Sequence, residues 1–247
     1  MYKIAVITPY YKEPTEVLKK AHDSVLNQGV NADHFFIADG FPNLEITSWK
    51  AKHIILSESH GDNGNTPRGI GSALADIEGY DFIAYLDADN WYHENHLQSL
   101  IQLYEETKIS VCTSFRTFHT LDGEDLKIRE RDEDLLLHVD TSCLFIHRSS
   151  FALTTFWLKI PKQLSPMCDR VFVASCRANR YPMASTKKRT VAFRSQYESH
   201  YKAANRTSPQ DIKISKEIFY PCYQYLKSAT GVNECISRLG FWPMTYM

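Results

Sequence analysis

The 247-residue chain predicts an α/β protein: a Rossmann-like, mostly parallel central sheet flanked by helices, with a small antiparallel region after it. Three observations carry this. Over the first hundred residues, short β-rich runs alternate with helical patterns. The β-rich runs are continuously apolar, as strands covered on both faces are. The polar residues suited to chemistry fall just after those runs, at the carboxyl ends of strands, where open α/β sheets bind ligands.

Element by element, Lys3–Thr8 is a compact apolar strand that Pro9 ends. Pro14–Gln28 follows as a helix, with Val17, Leu18, Ala21, Val25 and Leu26 at helical spacing. His34–Ala38 and Lys52–Leu56 are the next strands. Thr66 and Pro67 open a helix, the threonine as N-cap and the proline at the first helical position. Its expected core stripe is Ile70, Ala73, Leu74 and Ile77. Phe82–Leu86 and His96–Glu106 repeat the strand–helix pair. Beyond residue 108 the pattern changes to a more antiparallel region, with strands at Ile109–Ser114 and Cys143–His147, a turn at Asp122-Gly123, and a further strand-like run at Thr190–Phe193. Helices are expected near Ser150–Trp157 and Pro166–Ala178, and over Ser208–Ala229 with an interruption near Pro221. No linker, repeat or low-complexity segment divides the chain, so one folding unit is expected.

Hydrophobic residues make up 43% and charged residues 23%, which fits a packed core rather than disorder. A net charge of −1 gives no basic footprint for nucleic acid. The six cysteines lie far apart without a C-x-x-C pair, and read as reduced, separately buried thiols. No run approaches the roughly 18 apolar residues of a membrane span, and no secretion signal is read, so a cytoplasmic location is expected. The tail Leu239-Gly240-Phe241-Trp242-Pro243-Met244 is expected to cover the core; a dimer contact and a peripheral membrane contact are the alternatives.

Asp87-Ala88-Asp89 is the strongest chemical signal. Two carboxylates one residue apart at a strand end can converge on one hard cation, Mg²⁺ or Mn²⁺, that bridges diphosphate oxygens. The bland alternative is a pair of solvated loop carboxylates. Arg68 sits in the first turn of its helix, where a cation opposes the helix dipole. It suits an anion shared with the free N–H groups there, and otherwise reads as exposed or paired with Asp62. Asp39, before Gly40, could accept from a uracil N3–H while Tyr10 offers the base a face; an Asx turn is the alternative. Asp169 could be the general base for an acceptor hydroxyl, or a first-turn carboxylate stabilised by the dipole. His200 could complete a metal shell or contact the diphosphate, or be merely exposed, and His138 shows no spacing that suggests a site.

With these residues in place, the chain resembles the family 2 inverting glycosyltransferases of GT-A fold. The matching motifs are Val6-Ile7-Thr8-Pro9-Tyr10, Ser24-Val25-Leu26-Asn27-Gln28, Asp39-Gly40, Leu86-Asp87-Ala88-Asp89-Asn90 and the run from Asp140 to Arg148, in an order spanning roughly residues 3–200. The resemblance implies that Pro9, Tyr10, Glu13 and Asp39 hold the nucleoside, and that Arg68, Asp87 and Ala88 lie along the ribose and diphosphate. It implies Asp89 as principal metal ligand with Asp87, Asp169 as base, and His200 as a metal or diphosphate contact. It divides the chain into a nucleotide-sugar half (1–107), an acceptor half (108–205) and a helical tail (206–247). The implied reaction moves a sugar from a nucleotide-diphosphate donor, UDP-linked by preference, to a sugar or glycan hydroxyl, in bacterial surface polysaccharide or glycoconjugate synthesis. Two positions depart from the family pattern: Ala38 precedes Asp39, and Cys168 precedes Asp169. The rival functions are a sugar nucleotidyltransferase and a non-catalytic nucleotide-sugar-binding protein. The loop Tyr10-Tyr11-Lys12-Glu13-Pro14 lacks the glycines the former needs.

Overall fold

The computed structural model describes residues 2–129 and 138–247. In chain order the elements are β1 (Ile4–Tyr10), α1 (Thr15–Leu26), β2 (Ala32–Asp39), β3 (Lys52–Leu56), α2 (Asn65–Ile77), β4 (Phe82–Tyr85), β5 (Trp91–Tyr92), α3 (His96–Thr107), β6 (Val111–His119), β7 (Leu144–His147), α4 (Cys168–Ala178), β8 (Met183–Arg194), α5 (Glu198–Ala203), α6 (Ser215–Lys227) and α7 (Ala229–Leu239). Between β7 and α4 the chain runs through 3₁₀ turns at Arg148–Leu158 and Lys162–Met167.

Among the described residues the strands form one sheet in the order β3-β2-β1-β4-β7-β6-β8-β5. The first four are parallel to one another. β7 runs antiparallel to both β4 and β6. The expected antiparallel region is therefore mixed, because β6 and β8 are parallel and only β5 reverses again beside β8. Every residue of β1 and β4 is buried, which explains their unbroken apolar sequences. The main core runs from β1 and β4 through Phe145 to Trp157, whose ring stacks on Phe172 of α4 at 4.3 Å.

Four expectations need correction. β1 does not stop at Pro9 but continues through it to Tyr10. The Ile7 carbonyl accepts from Leu86 N–H on the β4 side. Two residues on, Pro9 faces that same side after β4 has ended, so its missing N–H breaks no ladder bond. Second, Thr66 does not cap α2: Gly64 is the N-cap, and Asp62 Oδ2 accepts from both the Thr66 N–H (2.9 Å) and its hydroxyl (2.6 Å). Third, α2 does not bury the stripe read from its apolar residues. Ile77 is 82% exposed, and the buried face is Pro67, Arg68, Gly71, Ser72 and Ala75. A Cβ at Gly71 would stand 2.8 Å from the Ile7 side chain, so the helix lies close on β1 through small residues. Fourth, Pro221 lies inside α6, and the break comes at Ser228, whose hydroxyl caps α7.

All six cysteines are free and buried. The aromatic tail folds back onto the main core: Trp242 Nε1 donates to the Leu226 carbonyl at 2.9 Å, and Phe241 meets Phe156 edge-on. Among the described residues no helix is long and apolar enough to cross a membrane.

Candidate active site

The parallel strands deliver their carboxyl ends to one side of the sheet, and the turn after β4 is fixed there from two directions. Ser142 Oγ accepts from the Asp87 N–H (3.1 Å) and from the Asn90 side-chain amide (3.0 Å). Asn90 Oδ1 in turn accepts from the Arg194 N–H at the end of β8 (3.0 Å). The turn carrying Asp87, Ala88 and Asp89 is thereby held rigidly between β4 and β8.

Arg68 reaches this turn from α2. Its Nη2 donates to Asp87 Oδ1 at 2.5 Å and its Nη1 to the Asn63 carbonyl at 2.7 Å, with the guanidinium 5.4 Å from the Trp157 ring centre. The side chain is neither exposed nor paired with Asp62: the residue is 4% exposed and its ion pair is with Asp87. Its Nε, together with both side-chain polar atoms of Asn65, is buried without a hydrogen-bond partner among the described residues.

Among the described residues Asp89 has no such ion pair. Burial first, and then the charge of Asp87, push its carboxyl up to about 7, with Lys213 opposing. Carboxylate oxygens held near neutrality by desolvation and a like charge are the donor chemistry that a hard divalent cation relieves. Asp87 and Asp89 thus fit such a cation.

A cavity of about 610 Å³ opens over these groups, and its walls include all of Pro9, Tyr10, Glu13, Asp39, Arg68, Asp87, Ala88 and Asp89. Their individual settings differ from the sequence reading. Asp39 accepts four hydrogen bonds from the loop after β3: Ser59 Oγ (3.1 Å), His60 N (2.9 Å), His60 Nδ1 (2.9 Å) and Gly61 N (3.3 Å). Burial would raise its pKa, but these bonds hold it below the ordinary value. Gly40 makes the clamp possible, since at φ +81° a Cβ there would lie 2.5 Å from Ser59 N. Tyr10 turns inward, 3% exposed, its hydroxyl 2.6 Å from His53 Nε2 and accepting from Asn43 N–H. The open ring is Tyr11, 40% exposed on the same cavity and edge-on to Phe41 at 4.7 Å. Glu13 Oε2 accepts from Tyr11 N–H at 2.7 Å.

A second cavity, about 280 Å³, adjoins the first and shares Asn63, Arg68, Asp87, Phe193 and Tyr197 with it. Asp169 and His200 lie here. Asp169 opens α4, where its Oδ1 accepts from Arg170 N–H (2.7 Å) and its Oδ2 from His138 Nε2 (2.6 Å). Burial would raise the Asp169 carboxyl, but the His138 charge and hydrogen bond, with help from Arg170, bring it below the ordinary value. Asp140 and Arg116 form a buried ion pair on the same wall. His200 does not join Asp87 and Asp89 in a three-ligand set. Its Nδ1 stands 2.8 Å from Ser195 Oγ and its ring packs edge-on against Phe118 at 4.6 Å. Among the described residues no three His, Cys, Asp or Glu side chains gather to hold a metal ion.

Sequence reasoning missed His138, the Arg116–Asp140 pair and Lys213, while Tyr11 stands out with Tyr10 as a residue placed just after the first strand. Of those missed, only Asp140 carried a signal, standing first in a motif quoted above. His138 and Asp169 are 31 residues apart, and no local spacing marks such a contact.

Residues 5–165 match the model of the family described as Glycosyl transferase family 2. Among solved structures, the S. aureus TarS fragment 1–349 in complex with UDP aligns over 95% of this chain and 72% of that one, with a TM-score of 0.60 and 13% identity. The same fragment in complex with UDP-GlcNAc gives 0.57 and 14%, covering 95% and 73% of the two chains. The structure titled S. aureus TarS, with no residue range, gives 0.58 and 14%, covering 95% of this chain and 44% of that one. At these identities the likeness is one of fold. A search of curated proteins by sequence finds no match. The chain belongs to glycosyl transferase family 2, and is a glycosyltransferase on a mixed α/β, GT-A-like fold.

Proposed function

From this membership of glycosyl transferase family 2, we propose that the chain moves a sugar from a UDP-sugar to a hydroxyl of a sugar or glycan, with inversion and with a divalent cation, Mn²⁺ or Mg²⁺, at Asp89 and Asp87. The observation that carries this reading is the meeting of two cavities at the Arg68–Asp87 pair. One holds every residue assigned to the donor, and the other holds the candidate base. UDP is favoured because the TarS structures of similar fold are complexes with UDP and UDP-GlcNAc.

In this reading the donor cavity takes the nucleoside against Pro9 and the exposed face of Tyr11, with Asp39 acting through the Ser59–Gly61 loop that it clamps. Arg68 faces the diphosphate from the wall that the two cavities share. A divalent cation, when bound, stabilises negative charge on the departing diphosphate. Across the shared wall, Asp169 receives the acceptor hydroxyl proton as the acceptor oxygen bonds to the anomeric carbon. The bond from that carbon to the diphosphate breaks on the opposite face, which inverts configuration.

Released UDP is the direct readout. Incubation with UDP-GlcNAc, UDP-glucose and UDP-galactose, each with Mn²⁺ and a panel of sugar acceptors, is expected to liberate UDP with at least one donor and to form an inverted glycoside. Release of pyrophosphate instead would establish a nucleotidyltransferase. Binding of a UDP-sugar without any turnover would establish a binding protein.

A further inference from the structure

Building on the transferase reading, we propose that the proton leaving the acceptor hydroxyl is taken by His138 and Asp169 as a pair, with His138 the positioning residue that decides when the pair can accept it. The geometry is specific. Both oxygens of Asp169 are engaged, one by its own helix at Arg170 N–H and the other by the imidazole at 2.6 Å. The two side chains are sheltered, 11% exposed for His138 and 20% for Asp169. Two ionisable groups in hydrogen-bond contact at such a site titrate together, and the protons belong to the pair.

Among the described residues, the other carboxylates on the walls of this cavity carry their own counter-charges. On one wall Asp140 is offset by Arg116 from β6, and on another Asp87 is offset by Arg68 from α2. From α4, Arg170 lies beside the pair with its Nη1 donating to Tyr223 of α6, and burial pushes the Cys168 thiol up to about 12, so it carries no charge. Tyr197 and His200 close the side formed after β8. In the proton-accepting state the imidazole is neutral and donates its Nε2–H to the carboxylate, giving the pair one net negative charge. As the acceptor oxygen bonds to the anomeric carbon and the diphosphate leaves with its bond electrons, the hydroxyl proton passes to the pair. The pair ends neutral, as imidazolium with carboxylate or imidazole with carboxylic acid, and returns the proton to water. If His138 is already protonated, the pair is full and transfer stalls.

The two possibilities for the base give opposite signs. If the carboxylate alone took the proton, removing the His138 charge that depresses it would move the acid limb of the rate profile upward. If the pair takes it, removing the imidazole leaves only a carboxylate, and the limb moves downward. The test is the pH dependence of UDP release from UDP-GlcNAc with Mn²⁺ for wild type and His138→Gln. The expected result is a downward shift of at least about one pH unit in the acid limb, a plateau kcat lowered about tenfold, and an unchanged KM for UDP-GlcNAc. An unmoved or raised limb overturns the proposal, since a purely structural role would change the plateau alone. Should His138→Gln fail to fold, nitrogen NMR titration of His138 in wild type and in Asp169→Asn decides the same point. Its midpoint is expected to fall by at least about one unit when the carboxylate is replaced, and an identical midpoint overturns the pairing. Because the NMR arm needs no turnover, loss of the transferase reading, seen as no UDP release by wild type, is told apart from loss of the pair.

Discussion

The two cavities that meet at Arg68 and Asp87 treat buried charge in opposite ways. On the acceptor side each carboxylate has its own cationic or proton-donating partner: Arg116 for Asp140, His138 for Asp169. On the donor side Asp89 has no ion pair among the described residues, and burial with the Asp87 charge lifts it to about 7 against the opposing charge of Lys213. The cation proposed above would meet the one carboxylate of the two cavities that the described residues leave without an ion pair or side-chain hydrogen bond.

The sharpest way to break that contrast is Asp89→Ala. Donor turnover with UDP-GlcNAc should fall by about 10³-fold or more, because several kcal/mol of charge stabilisation is lost with the cation. Steady-state UDP release measures it, and wild-type turnover would remove Asp89 from the metal site. Asp169→Asn should separate the two cavities. Transfer is expected to drop about 10²–10⁴-fold while UDP binding, followed by thermal shift, stays intact. A parallel loss of UDP binding would show that the cavities are not independent.

The internal neutralisation on the acceptor side has its own consequence for stability. Arg116→Leu strands Asp140 in a buried site, and unfolding in urea should reveal a loss of about 3–5 kcal/mol. A change under about 1 kcal/mol would mean that the pair is not buried in solution.

The smallest expected effect sharpens the donor side. A carboxyl raised in the folded state makes the folded protein take up a proton, so Asp89 costs stability in full above about pH 7. That cost is relieved as pH falls through about 7 toward the ordinary carboxylate range. Metal-free Asp89→Asn should therefore melt above wild type at pH 8, with the gap closing by pH 5. Thermal scans at the two pH values check this, and a gap that widens at pH 5 would reverse the sign assigned to Asp89.

What the sequence disclosed follows the physics of a parallel sheet. Continuous apolar strands such as Ile4–Tyr10 and Phe82–Tyr85 show where they lie to within a residue or two, and their carboxyl ends must converge on one side. This is why the eight residues read from sequence as donor or metal contacts, spread over 81 positions from Pro9 to Asp89, line one cavity. The role of Asp39 was not legible, because its partners Ser59, His60 and Gly61 lie 20 to 22 residues away, and two of the four contacts come from backbone N–H groups that every sequence has. The buried face of α2 was misread because an apolar count assigns little weight to Gly71, Ser72 and Ala75, the residues that let the helix approach β1. His138 escaped notice for a related reason. The contact with Asp169 exists only once the segment before β7 and the start of α4 are folded against one another.

The most direct measurement of the central claim is calorimetric titration of UDP into the wild-type protein and Asp89→Asn, each in Mn²⁺ and in EDTA. The account predicts binding by wild type in Mn²⁺, weakened at least about tenfold in EDTA, and equally weak binding by Asp89→Asn in both. UDP bound as tightly by wild type in EDTA, or by Asp89→Asn in Mn²⁺, would contradict the claim that the uncompensated carboxylate of the donor cavity is there to hold a cation.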